Sequence, residues 1–353
     1  MPNVTLKEIA GKAGVHISTV SRILNSPDGS FARKEVQDRV WAVVKECSYV
    51  PNQSARALRQ ASPKARAPKT EPLTCILGRT RRMEDNPFFE QVARAIEQHA
   101  LQMGYTVGFS YSVIDPDHKA LLTGGDKGGK GSAVVLGRLD NARIIRFLEQ
   151  NYRNLVYIGR SPIQTDWDQV ICDGYEASQI AVEHLIGFGH KQIGYIGETG
   201  SETRYRAYLE TMERNGLEPL PCHIASCDQN SAEGGYAGAD ALLKSASPMP
   251  TAVFCAADIS AIAAMRRFKE AKIRIPTELS MVSIDNITLS AYVSPMLTTV
   301  GMPIVELGNI AVQALTDRVA KRRKIPMKII LPNKLVRRES VAAPRGYVED
   351  YTI

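Results

Sequence analysis

The sequence predicts an α/β protein carrying a separate three-helix head. Three observations lead there. The whole net charge of +7 lies in the first fifth of the 353-residue chain. That same stretch shows apolar residues at helical spacing. From Leu73 onward, short apolar runs alternate with helical patterns, as parallel sheets covered by helices require.

Composition narrows the class. The chain is 44% hydrophobic and 23% charged, ordinary for a globular protein. It has no run of about 18 apolar residues and no apolar leader at Met1-Pro2-Asn3-Val4, so a cytoplasmic protein with no membrane partner is expected. Six cysteines at 47, 75, 172, 222, 227 and 255 form no CxxC pair and read as reduced thiols. No metal site and no cofactor is expected. Residues 1–70 hold 12 basic and 5 acidic residues, and the remainder is neutral. A basic head on a neutral body points to a polyanion-binding module attached to a second function.

The head reads as follows. Thr5-Leu6-Lys7-Glu8 is a capping box. Leu6, Ile9, Ala10 and Ala13 then share one helical face, and Gly14 breaks the helix. A second helix runs from about Ile17 to Asn25, with Val20, Ile23 and Leu24 inward. A third runs from about Lys34 to Cys47, with Val36, Val40, Val43, Val44 and Cys47 inward. Two short helices about a glycine turn make a helix-turn-helix, whose second helix enters the DNA major groove. Ile17, Ser18, Ser21, Arg22 and Asn25 point outward from it. Arg22 suits a bidentate contact to guanine, Ser18 a polar contact and Ile17 a thymine methyl. The residues from Arg59 to Pro72 are rich in Pro, Ala and cations, and read as a flexible linker.

Val4-Thr5-Leu6-Lys7-Glu8-Ile9-Ala10 through Val20-Ser21-Arg22-Ile23-Leu24-Asn25 resembles the DNA-binding head of the lactose-repressor/galactose-repressor family. The likeness continues through Tyr49-Val50-Pro51-Asn52-Gln53-Ser54-Ala55-Arg56-Ala57-Leu58. It implies a hinge helix that pairs with its dimer mate in the minor groove, with Leu58 as a wedge between base steps and Ala55 one turn before it. DNA contacts are thus assigned to Thr5, Leu6, Ile17, Ser18, Thr19, Ser21, Arg22, Asn25, Asn52, Ala55, Arg56 and Leu58. His16 departs from the usual Ser or Thr helix cap, which predicts a looser helix start.

In the neutral body, strands are expected at 73–78, 105–110, 133–136, 155–158, 170–172, 192–196, 252–255 and 280–284. Helices are expected at 88–102, 174–187, 205–215, 232–244 and 258–271. His184-Leu185-Ile186-Gly187-Phe188-Gly189-His190-Lys191-Gln192-Ile193-Gly194-Tyr195-Ile196-Gly197 and Leu297-Thr298-Thr299-Val300 resemble motifs of the same family. The resemblance implies a two-lobed, periplasmic-binding-protein-like core with a small ligand between the lobes. The division is then 1–50 for the head, 51–72 for hinge helix and linker, 73–341 for the core and 342–353 for a tail. One lobe takes about 73–160 and 290–322, the other about 162–287 and 326–341. Crossovers fall near 159–162, 287–292 and 321–327.

Ligand contacts are nominated individually. Asn86-Pro87-Phe88-Phe89 opens a helix at the carboxyl end of the first strand, where ligands bind in such sheets. Phe88 or Phe89 covers a ligand face, or packs under the helix. Arg204 and Asp285 occupy the family's effector-binding positions and suit adjacent hydroxyls; the alternative is a salt bridge between lobes. Ala257 stands where the family has Asn. Trp167 stacks on a ligand ring, or packs in a core.

Other signals are set aside. Gly124-Gly125-Asp126-Lys127-Gly128-Gly129-Lys130 nearly spells a phosphate loop, but it precedes a strand instead of following one. Asp115, Asp117 and His118 lie in a Pro-containing turn and read as no metal site. No catalytic triad is apparent, so an enzyme is not expected. The expected protein is a dimeric, sequence-specific repressor of carbohydrate genes, bound to a palindromic DNA operator and released by a sugar. No terminal heptad run argues for a tetramer. The alternative is a sugar-binding protein without a DNA role.

Overall fold

The structure is a computed structural model describing residues 6–25, 34–46, 72–78, 86–110, 131–139 and 141–345. The chain forms two compact units, Met1–Arg66 and Ala67–Ile353.

The first unit contains α1 (Leu6–Ala13), α2 (Ile17–Asn25) and α3 (Lys34–Glu46). Ile9, Ala10, Ala13, Val20, Ile23, Val40, Val43 and Val44 are buried together, the faces that helical spacing predicts. Gly14 ends α1 at φ +62°. The Val15 amide donates to the Ala10 carbonyl and the Gly14 amide to that of Gly11. This double closure needs a left-handed residue, which glycine adopts without a Cβ penalty.

The second unit holds two six-stranded sheets. In the first lie β1 (Leu73–Leu77), β2 (Val107–Ser110), β3 (Gly131–Leu136), β4 (Tyr152–Gly159), β5 (Asp168–Cys172) and β11 (Lys328–Leu331), ordered β11-β5-β4-β3-β1-β2 and all parallel. The second has β6 (Ile193–Gly197), β7 (Ile224–Ser226), β8 (Ala252–Cys255), β9 (Ser280–Asp285), β10 (Thr298–Gly301) and β12 (Lys334–Val336), ordered β12-β10-β9-β8-β6-β7. Only β12 runs antiparallel to its neighbour among the described strands.

Helices α4 (Pro87–Gln102), α5 (Ala142–Asn151) and α10 (Ile304–Val319) pack with the first sheet. With the second sheet pack α6 (Gly174–Gly187), α7 (Thr203–Arg214), α8 (Ala232–Ser245) and α9 (Asp258–Glu270). Strand residues split by parity: Cys75 and Leu77 enter the core containing α4, while Ile76 enters the one containing Leu148 of α5. Gly308 lets α10 approach α4; a Cβ there would sit 2.7 Å from that of Ala95. No described helix is long and apolar enough to cross a membrane.

The lobe boundaries need correction. The expected crossovers at 159–162, 287–292 and 321–327 do not leave their sheets. Instead β4 is followed by β5 in the first sheet, β9 by β10 in the second, and α10 by β11 in the first. The chain crosses after Cys172, after Gly301 and after Leu331. Each of these added strands is reached through a connection without an α-helix, so the lapse in helical period marked a strand, not a crossing. Short elements at 224–226, 298–301, 328–331 and 334–336, and helices α5 and α10, were also not anticipated.

Candidate effector cleft and nucleic-acid interface

In the head, α2 presents Ile17 and Ser18 to solvent, with Thr19 half-buried. Val20 and Ile23 face inward, so the outward face has the register expected for base contact. Leu6, Ser21, Arg22 and Asn25 lie on α1 and α2 by backbone position. Thr5, Asn52, Ala55, Arg56 and Leu58 lie outside the described residues. His16 replaces the usual cap differently than expected. Its Nδ1 accepts from the Ser18 backbone amide at 3.4 Å and lies 2.8 Å from Ser18 Oγ. The imidazole thereby satisfies one free amide of the first turn, the task of a Ser or Thr cap.

The cleft of the second unit opens at the carboxyl ends of the strands and has a cavity volume of about 270 Å³. One wall carries Phe89, Leu139, Tyr157 and Ile163; the other carries Glu198, Ser201, Glu202, Gln229, Asn230 and Ser231. Asn86 caps α4 by accepting from the Phe89 amide at 3.3 Å, which fixes both phenylalanines. Phe89 lines the cavity, whereas Phe88 is buried beneath it. Phe88 thus packs under the helix, and Phe89 is the ring of the pair that faces the cavity.

Arg204 lines the cavity but is already clamped. Its Nε and one terminal nitrogen donate to Glu202 at 2.9 and 3.0 Å, and the other donates to the Ala256 carbonyl at 2.6 Å. Burial opposes the Glu202 charge, but the Arg204 guanidinium outweighs it and holds that carboxyl down at about 2. Asp285 ends β9 with φ +125° and Asn286 follows at φ +54°, a turn few non-glycine residues adopt. Arg204 and Asp285 do not form the expected alternative salt bridge. The partner of Asp285 is Arg160, which follows β4. That pair joins the two lobes.

Arg160 was missed by sequence reasoning, although its place at a strand's carboxyl end could have found it. Its guanidinium lies over the Phe88 ring at 4.5 Å and near that of Phe89 at 5.6 Å. Its buried Nε has no hydrogen-bond partner, so a donor remains for a ligand. Burial pushes the Asp285 carboxyl up, against the pull of Arg160. Behind it, Asp258 is fully buried and is raised to about 7 by burial and by Asp285. It accepts from Ser283 Oγ, Thr299 Oγ1 and the Ile287 amide, at 2.5, 2.6 and 2.9 Å. These bonds brace both ends of the turn that carries Asp285. Two further contacts cross the cleft: Arg138 donates to Ser201, and Ser161 Oγ meets Thr203 Oγ1 at 3.0 Å.

Trp167 does not reach this cavity. It packs in the first lobe's core and donates to Glu149 at 3.2 Å, so the packing alternative holds. The Gly/Lys loop up to Lys130 and Asp115, Asp117 and His118 lie outside the described residues. Among the described residues no cluster of three metal-ligating side chains occurs.

Known proteins share both units. Residues 182–341 match the periplasmic binding protein-like domain, and residues 5–52 match the bacterial regulatory proteins of the lacI family. The HTH-type transcriptional repressor PurR of Yersinia pestis bv. Antiqua is 30% identical over 356 residues, covering 98% of this chain and 99% of the relative. The chain belongs to the LacI family. This LacI-family protein is a ligand-responsive transcriptional repressor and not an enzyme. Its fold matches a transcriptional regulator CelR–cellobiose complex at TM-score 0.69 and 23% identity, over 96% of this chain and 99% of that one. It also matches the lac repressor dimer bound to operator and the anti-inducer ONPF, at TM-score 0.64 and 24% identity, over 97% and 100% of the chains. As a LacI-family core, the two sheets bear the expected periplasmic-binding-like architecture.

Proposed function

We propose that this repressor controls carbohydrate-utilisation genes, binds a palindromic operator as a cytoplasmic homodimer, and is released by a small sugar. The observation that carries the sugar reading is the division of the cleft. On one wall Phe89, Leu139, Tyr157 and Ile163 give apolar surface among the polar Asn86, Arg138 and Ser161, and the other wall has carboxylates, hydroxyls and amides. A sugar has the matching faces, C–H groups on one side and hydroxyls along its edge. Arg160 and Arg204 line the cavity and suit charge-assisted hydrogen bonds, with Asp285 buried behind as the partner of Arg160.

Support for the other parts is separate. The relative bound to cellobiose favours a sugar effector, and the relative bound to operator as a dimer favours that assembly here. Leu289, Tyr292 and Met296 give exposed apolar surface suited to self-association. The DNA contacts are those assigned to α2 and to the hinge, with Arg22 reading a guanine and Leu58 wedging the minor groove. A sugar-binding protein without a DNA role has no use for the basic head.

The test is fluorescence anisotropy on a labelled operator from the gene's own neighbourhood, titrated with sugars and nucleobases at fixed salt. Release by one sugar is expected. Release by a nucleobase, with every sugar inert, would overturn the carbohydrate reading while keeping the repressor.

A further inference from the structure

The loop between α10 and β11 is a basic surface that the effector mechanism does not use. Lys321-Arg322-Arg323-Lys324-Ile325-Pro326-Met327-Lys328 holds five cations and no acid, in a body whose net charge is zero. Solvated lysines alone would carry little weight, but this loop is built. Lys321 sits at φ +55° just past the end of α10, with its amide donated to the Arg318 carbonyl. The buried carboxylate of Asp168 then collects the loop. It accepts from Arg318 Nε at 2.9 Å, from both terminal nitrogens of Arg323 at 2.7 Å and from the Met327 amide at 2.6 Å. Arg323 is thus drawn inward, and Arg322 pairs with Asp317. Lys321, Lys324 and Lys328 remain exposed, with no ion-pair partner among the described residues.

Topology gives the loop a direction. Every strand of the first sheet is parallel, so all begin at one end. The loop delivers the chain into β11 at that end. Leu73 enters β1 at the same end, directly after the linker from the head. The two strands stand four positions apart in the sheet, about 19 Å at ~4.8 Å per strand. Of the acids about this end, Asp168 is taken up by Arg318 and Arg323, Asp317 pairs with Arg322, and Glu149 and Asp166 line a small cavity with Arg153 and Arg318.

We propose that Lys321, Lys324 and Lys328 form a second, sequence-independent contact with the phosphate backbone of the DNA that the head reads. It rests on the DNA-binding reading. Ammonium groups on a pinned loop would displace condensed counterions without reading bases, adding affinity and salt dependence but no selectivity.

The test uses the full chain with Lys321, Lys324 and Lys328 all replaced by Gln. Affinity for operator and for random duplex is measured across a salt series. The slope of log affinity against log salt should become shallower by about 0.9 for each phosphate lost, up to about 2.7 per protomer and about 5.4 for the proposed dimer. Operator and random duplex should weaken by the same factor, with effector affinity and melting temperature unchanged. The triple Lys→Arg variant should restore the slope. An unchanged slope in a chain that binds operator would overturn the contact, and would leave these lysines for an acidic protein partner. A weakened operator with random duplex unaffected would also overturn it. Failure of the unaltered chain to bind any DNA would sink the regulator reading and this contact together.

Discussion

Asp285 and Arg160 meet at the floor of the cleft, each from a different lobe. Neither is free to rotate away: Asp285 sits in a strained turn braced by Asp258, and Arg160 is held over Phe88. A sugar hydroxyl bound there would accept from Arg160 and donate to Asp285. Asp285→Asn keeps the shape but removes the charge. Effector affinity should fall about 10- to 150-fold, the worth of a charge-assisted hydrogen bond of about 1.5–3 kcal/mol. Effector titration calorimetry checks this, and an operator-binding assay without effector reads what the weakened bridge between the lobes does by itself. A second residue gives a pH prediction. His190 is buried, with Nε2 2.8 Å from the Ala342 carbonyl and Nδ1 2.9 Å from Thr251 Oγ1. Burial lowers its pKa below the usual 6.5. The unfolded chain therefore binds this proton more readily than the folded one. The stability tied to His190 is full above about pH 6.5 and declines as pH falls below it. His190→Gln should flatten the loss of urea stability between neutral and mildly acidic pH. Sequence led to Phe89 from the carboxyl end of the first strand and to Arg204 and Asp285 from the family resemblance; Phe89 and Arg204 line the cavity, and Asp285 lies buried behind Arg160. Arg160 stayed hidden because its role depends on a partner 125 residues away.

Elements were more legible than their grouping. The helix at 174–187 was located to the residue, and α2 likewise, because their apolar residues recur at helical spacing. Three helix-free connections misled the lobe boundaries, since nothing in a helix-free connection says whether the next strand joins the same sheet or the other one. In β11 only Ile329 and Leu331 turn inward, and only partly. At α2 the local reading erred in a different way. His16 is a working cap, because its Nδ1 reaches the Ser18 amide. His16→Ala should cost about 0.5–2 kcal/mol of head stability, and His16→Ser should be near neutral. Thermal unfolding of the full chain, followed by a probe on the head, measures this. Equal stability of the alanine variant would remove the imidazole from the cap.

For the whole molecule, what matters is how cleft closure reaches the DNA. The two sheets are joined by three chain crossings, after Cys172, Gly301 and Leu331, all near the carboxyl ends of strands that flank the cleft. Such a bundle lets the lobes rotate about the cleft as a hinge. The first strand of the first lobe is also where the linker from the head arrives, so a lobe rotation moves the base of that linker. Coupling of about 1–3 kcal/mol, a 5- to 150-fold change in operator affinity, is the scale expected of such a device. Ser161 and Thr203 offer a way to hold the hinge. They come from opposite lobes, and their hydroxyl oxygens are 3.0 Å apart. Two short side chains in contact place their backbones at a separation a disulfide can span. Cys75, Cys172 and Cys255 are buried, whereas Cys222 and Cys227 are partly exposed, so the test chain carries Ser at 47, 222 and 227. In a Ser161→Cys/Thr203→Cys chain, oxidation should lock the lobes and fix operator affinity at one value, whatever the effector concentration. Reduction should restore the response. If the oxidised protein, shown by mass to be cross-linked, still releases operator on effector addition, the signal does not travel by lobe closure, and the route from cleft to head must run through the strands themselves.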